Sequence, residues 1–173
     1  MTQYDDVEHP KHYTQYPVEV IEITRHLRFN LGNAVKYILR SPFKGSEVKD
    51  LRKAKWYLED LITNFEPDEL KSQVDDFVHT EDFRKTLSTF KNKLVERAIY
   101  AAMACDVKRL ADVAAELNAK ALKREVETLR EEKQALEERL KEYTRPIQNP
   151  FAGREINIPA WAKNPVIATA YIL

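Results

Sequence analysis

Glycine occurs only three times in these 173 residues, at Gly32, Gly45 and Gly153. A chain this poor in glycine lacks the residues that accept positive φ in tight hairpin turns, so a many-stranded antiparallel sheet is hard to build from it. Leu, Ala, Glu and Lys are plentiful, and charged residues make up 32% of the chain. That mixture suits long helices with solvated faces, and the expected fold class is all-α.

Apolar periodicity and helix breakers divide the chain into three parts: residues 1–66, 67–145 and 146–173. Residues 1–17 are polar and contain Pro10 and Pro17, yet Tyr4, His9, His12, Tyr13 and Tyr16 crowd rings into a segment that should pack on something. "VEVIEITRHLRF", residues 18–29, reads as a first helix, with Val18, Val20, Ile21, Ile23 and Leu27 apolar and Pro17 suited to its start. A second helix is expected over about 30–40, with Asn30 as a possible cap and Leu31, Ala34, Val35, Ile38 and Leu39 on its buried side. Pro42 and Gly45 end it. Ser46 then offers a cap, with Glu47 and Asp50 in the first turn, to a third helix that runs to Glu66-Pro67. These three helices make a small N-terminal domain.

A short amphipathic piece, 68–78, leads to a new helix start at Thr80-Glu81-Asp82. From there Phe83, Leu87, Phe90, Leu94, Ala98 and Ala101 follow at steps of three or four. Asp106 opens the last long segment. Within it Leu122, Val126, Leu129, Lys133, Leu136, Leu140 and Tyr143 alternate steps of four and three, a coiled-coil seam with one charged interruption. A seam this short is marginal alone, so it predicts a partner helix, either from a second copy in a homo-oligomer formed through this arm or from the chain's own domain, the first being favoured. From Pro146 the chain turns proline-rich and apolar, an irregular C-terminal tail suited to docking on a neighbouring subunit or another protein, or equally on the chain's own helices.

The 28 basic and 28 acidic residues cancel. No global field then favours nucleic acid or an anionic membrane, and any polyanion must bind locally. No apolar run approaches the ~20 residues of a membrane-spanning helix, and the N-terminus carries no leader pattern, so a cytoplasmic protein is expected. Cys105 is the single cysteine; flanked by alanines and methionine, it reads as a small buried residue.

One stretch departs from neutrality. Between Arg28 and Lys55 eight basic residues face two acidic ones, a local net of +6. On a helix Asn33, Lys36, Tyr37 and Arg40 share one face, opposite Leu31, Val35, Ile38 and Leu39. Asp50, Lys53 and Tyr57 repeat that spacing on the next helix. Such a patch is either an ordinary solvated face or the lining of a site for a multiply charged phosphate, where Arg grips an oxyanion with two donors and Lys supplies a point charge. Tyr13, Tyr37, Tyr57 and His12 could stack on a base. His9 and His12 could bind phosphate or move protons, and could equally cap the backbone.

Carboxylates allow another arrangement. Glu19 and Glu22, then Glu47 and Asp50, place pairs of acids one turn apart on two helices, a pattern that could hold Mg²⁺ against a triphosphate. Neither a GxxxxGK[ST] loop nor a GxGxxG loop occurs, so phosphates would have to be held by side chains.

The linked motifs "HPKHY", "VEVIEI", "GNAVKYILR" and "KGSEVKDLRKAKWYLEDLI" resemble a small phage-encoded family described as phage nucleotide kinase. The resemblance covers about residues 7–65. It implies phosphoryl transfer from a nucleoside triphosphate to a (deoxy)nucleoside monophosphate, in a cytoplasmic oligomer. The family pattern falls on His9, Pro10, His12 and Tyr13, then Gly32, Asn33, Lys36, Tyr37 and Arg40, then Lys44, Gly45, Asp50, Leu51, Lys53, Ala54 and Tyr57. In that reading Lys36 and Arg40 neutralise the transferring group, Lys44 and Lys53 hold flanking phosphates, and His12 or Asp50 orients the acceptor. This chain departs from the family by carrying about a hundred further residues behind the domain. Two other readings stand beside it. One is a MazG-like, all-α, Mg²⁺-dependent nucleoside triphosphate pyrophosphohydrolase using Glu19, Glu22, Glu47 and Asp50. The other is a non-enzymatic coiled-coil adaptor that sequesters nucleotides or acts on a host partner.

Overall fold

The computed structural model describes residues 15–144. His9, His12 and Tyr13, and the whole C-terminal tail, lie outside them. Within them the chain is helical, with α1 (Ile21–Thr24), α2 (Phe29–Arg40), α3 (Glu47–Asn64), 3₁₀ segments at Pro67–Gln73 and Asp76–His79, α4 (Glu81–Thr89), α5 (Lys93–Met103) and α6 (Val107–Tyr143).

The expected first helix over 18–29 is cut to a single turn. Residues 26–28 leave the helix because their backbone groups pair elsewhere. Arg28 donates to the Gln73 carbonyl at 2.7 Å, and Asp75 donates to the His26 carbonyl at 3.0 Å, flanking an isolated antiparallel bridge between Leu27 and Val74. Each long-range bond replaces a bond the helix would have made, so the backbone stays satisfied while the helix ends.

α2 and α3 follow the apolar spacing closely. Leu31, Ala34, Val35, Ile38 and Leu39 are buried on α2, and Leu51, Ala54, Leu58 and Leu61 on α3. The two helices form a hairpin, the most extensive helix pairing in the fold, and each fully buried Leu contributes roughly 1.5–3 kcal/mol over an exposed one. Gly45, at φ 71°, lets the turn enter the left-handed region that side chains resist. Two expected caps differ. Ser46 occupies the N-cap position of α3 without a side-chain cap bond, and Asn30 bonds Asp60 on α3 instead of capping α2.

The stripe from Phe83 to Ala101 is split. Lys91 adopts φ 48°, and the Asn92 side chain restarts the helix by accepting from the backbone N–H groups of Leu94 and Val95. Thr80 caps α4 through Phe83 N–H, and Asp106 caps α6 through Arg109 N–H, as residues of their type favour. Cys105 is half-buried rather than buried, at φ 54° between α5 and α6.

Backbone contacts divide the chain into two units, residues 1–132 and 133–173. In the first, one core draws residues from Val20 to Ala121, on both sides of residue 66. The α6 residues that join it are Leu110, Val113, Ala114, Leu117 and Ala121; the buried stripe stops there. In the second, the described residues are exposed helix, with a Lys133–Glu137 ion pair. Among the described residues no helix is long and apolar enough to cross a membrane.

Candidate functional site: the α2–α3 hairpin

The hairpin turns the shared face of α2 toward the polar edge of α3. At its centre Arg40 and Asp50 meet. Arg40 Nε donates to Asp50 Oδ2 at 2.8 Å and Arg40 Nη2 to Asp50 Oδ1 at 2.8 Å, with Arg40 8% and Asp50 1% exposed. A two-point pair at that depth is held by geometry as much as by charge, because guanidinium and carboxylate are complementary forks. It also answers Asp50's charge inside the protein.

Tyr37 lies against this pair. The Arg40 guanidinium is 4.6 Å from the Tyr37 ring centre, Lys36 Nζ 4.8 Å and Lys53 Nζ 5.1 Å. Three cations from two helices therefore share one aromatic ring, whose quadrupole attracts each of them modestly. Arg40 is balanced by Asp50. Lys36 donates to Asn33 Oδ1 at 2.6 Å, and Asn33 donates in turn to the Phe29 carbonyl, so the lysine is aimed by a neutral amide. Among the described residues neither Lys36 nor Lys53 forms an ion pair with a carboxylate. Two ammonium groups thus lie against one ring, and among the described residues neither is ion-paired to a carboxylate. Lys53 is exposed and Lys36 half-buried.

The remaining expected residues divide. Tyr57 stacks on Tyr37, with ring centres 5.8 Å apart and planes 13° apart. Lys44 sits exposed in the turn between α2 and α3. The structure also adds two aromatics outside the expected set. Phe29 and Trp56 both contact Tyr57 edge-on, and they are 73% and 58% exposed. Their signal is present in the sequence: Phe29 is seven residues before Lys36, and Trp56 lies off the Leu51–Leu58–Leu61 stripe. A cavity of about 470 Å³ opens beside Phe29, lined also by Arg28, Asn30, Phe65, Ser72 and Gln73.

The carboxylates are committed elsewhere. Glu22 pairs with Arg25 at 2.9 Å, and Glu47 pairs with Arg124 at 3.0 Å and Lys120 at 3.6 Å. Asp50 is taken by Arg40. Among the described residues no group of three or more His, Cys, Asp or Glu side chains is placed to hold a metal ion.

A protein-family model matches residues 7–59, and that family is described as a protein of unknown function, DUF3310. The match ends inside α3 and so covers the hairpin with all the residues named on Tyr37. No curated protein matches the chain, and no solved structure does.

Proposed function

We propose that the α2–α3 hairpin binds a nucleotide through its phosphates, and that the chain transfers a phosphoryl group from a nucleoside triphosphate to a (deoxy)nucleoside monophosphate. One observation supports the binding half: Lys36 and Lys53, from two helices, both lie against the Tyr37 ring with no carboxylate ion-paired to either among the described residues. Placing uncompensated ammonium groups against an aromatic wall costs self-repulsion, and a polyphosphate relieves it. The exposed Phe29 and Trp56, with Tyr57, offer faces for a base. The transfer half rests on the motif resemblance of residues 7–65.

The geometry refines the roles. Lys36 and Lys53 take the phosphates, with Lys44 supplying charge from the turn. Arg40 and Asp50, bonded to each other, act as positioning residues that fix the Tyr37 platform, and Asp50 is thereby withdrawn from orienting the acceptor. In such a transfer the acceptor's phosphate oxygen forms a bond to the γ-phosphorus as the bond to the β-bridging oxygen breaks, and lysines stabilise the charge shared among the oxygens. The same reading makes this a cytoplasmic protein, where nucleotide pools lie, and gives the helical arm to self-association.

Separation of products from a panel of labelled nucleotides tests this. The expected products are a nucleoside diphosphate from each partner, lost in Lys53→Ala. Pyrophosphate release would replace the kinase by the pyrophosphohydrolase, and binding without turnover would leave a nucleotide-sequestering adaptor.

A further inference from the structure

The buried stripe of α6 ends at Ala121, and a second apolar stripe begins one residue later. Leu122, Val126, Leu129, Leu136, Leu140 and Tyr143 are all between 45% and 82% exposed. At alternating steps of four and three they occupy the d and a positions of heptads, with Lys133 at an a position. The charges beside that seam decide what covers it.

The residues following each d position are Lys123, Arg130, Glu137 and Thr144, and those preceding each a position are Glu125, Glu132 and Arg139. Two parallel copies would place Lys133 against Lys133 and Glu132 against Glu137, like charges in both cases. The attractive parallel pair, Glu125 with Arg130, would have to compete with Arg52, which already holds Glu125 at 2.7 Å. Two antiparallel copies remove both repulsions. With Lys133 opposite Leu136, Leu129 opposite Leu140 and Val126 opposite Tyr143, Arg130 faces Glu137 of the second copy, whose own pair with Lys133 is a longer, exposed 3.7 Å contact, and Glu132 faces its Arg139. The twofold axis doubles both pairs.

We infer that the exposed α6 seam is covered by α6 of a second copy of this chain, in an antiparallel coiled coil centred between Lys133 and Leu136. The interface is isologous, so it closes at two chains.

Sedimentation equilibrium of the full chain tests it, with circular dichroism confirming that each variant remains helical. The wild type is expected as a dimer that dissociates on dilution, and Leu129→Asp with Leu140→Asp as a monomer of unchanged helicity. Glu137→Arg separates the two orientations. In the antiparallel dimer it sets a second guanidinium against Arg130 and weakens association at least tenfold, whereas in a parallel dimer the new cation would meet Glu132 and strengthen it. Adding Arg130→Glu to Glu137→Arg should restore the dimer. A monomeric wild type, a species of any size indifferent to the Leu129 and Leu140 changes, or tighter association in Glu137→Arg would each overturn the inference.

Discussion

Arg40 on α2 and Asp50 on α3 are ten residues apart in sequence and joined by two hydrogen bonds of 2.8 Å in the interior of the hairpin. Removing either partner strands a charge away from water, which costs about 3–5 kcal/mol. Arg40→Ala and Asp50→Ala are therefore both expected to lower the urea midpoint sharply. Arg40→Met with Asp50→Leu, which removes both charges, should recover much of the loss. A double variant as unstable as the singles would show that the pair is not what the hairpin depends on.

Lys36 and Lys53 behave differently, since the fold does not rest on ion pairs to them. Replacing the exposed Lys53 by Ala should change unfolding stability by about 0.5 kcal/mol or less, and replacing the half-buried Lys36, which also loses its bond to Asn33, by about 1 kcal/mol. Each should weaken nucleotide binding by about tenfold to a hundredfold, the worth of a charge-assisted hydrogen bond. Parallel thermal melts and binding titrations on the same preparations would separate the two effects.

Tyr16 gives a pH signature. Its hydroxyl donates to the Leu39 carbonyl at 3.0 Å, and burial raises its pKa above the ordinary phenol value. A phenol with a raised folded pKa contributes its full stability below about pH 10, the unfolded value, and loses it as pH climbs through the folded one. Stability should fall above about pH 10, and Tyr16→Phe should flatten that fall while costing about 1 kcal/mol at neutral pH for the lost bond. Unfolding curves measured from about pH 8 upward would show it. Equal alkaline slopes in the two proteins would contradict it.

Gly45 sits in the hairpin turn at φ 71° with open space around the position where a Cβ would stand. Steric crowding is therefore not the issue, and the backbone conformation alone sets the penalty. Gly45→Ala should cost about 1–2 kcal/mol, read from chemical denaturation, and Gly45→Asn noticeably less.

Local rules make α2, α3 and the starts of α4 and α6 legible, because their buried stripes and the caps Thr80 and Asp106 are written within one or two turns of sequence. The end of α1 is not, since it is set by backbone pairing of residues 26–28 with 73–75, nearly fifty residues away. The break at Lys91 is hidden because Phe90 and Leu94 keep the apolar step across it. At the site, helical spacing puts Lys36, Tyr37 and Arg40 on one face. It gives no sign that Asp50 cancels Arg40 while leaving the two lysines, because that depends on how the turn sets α3 against α2.

The most direct test of the nucleotide reading is calorimetric titration of the intact chain with a deoxynucleoside monophosphate, a nucleoside triphosphate and the matching unphosphorylated nucleoside, repeated on Lys36→Ala with Lys53→Ala. Affinity should rise with phosphate count, and the double variant should remain folded at the titration temperature while binding each phosphorylated ligand at least a hundredfold more weakly. Equal affinity of the two proteins for the triphosphate, or binding of the bare nucleoside as tight as that of its phosphates, would contradict the account.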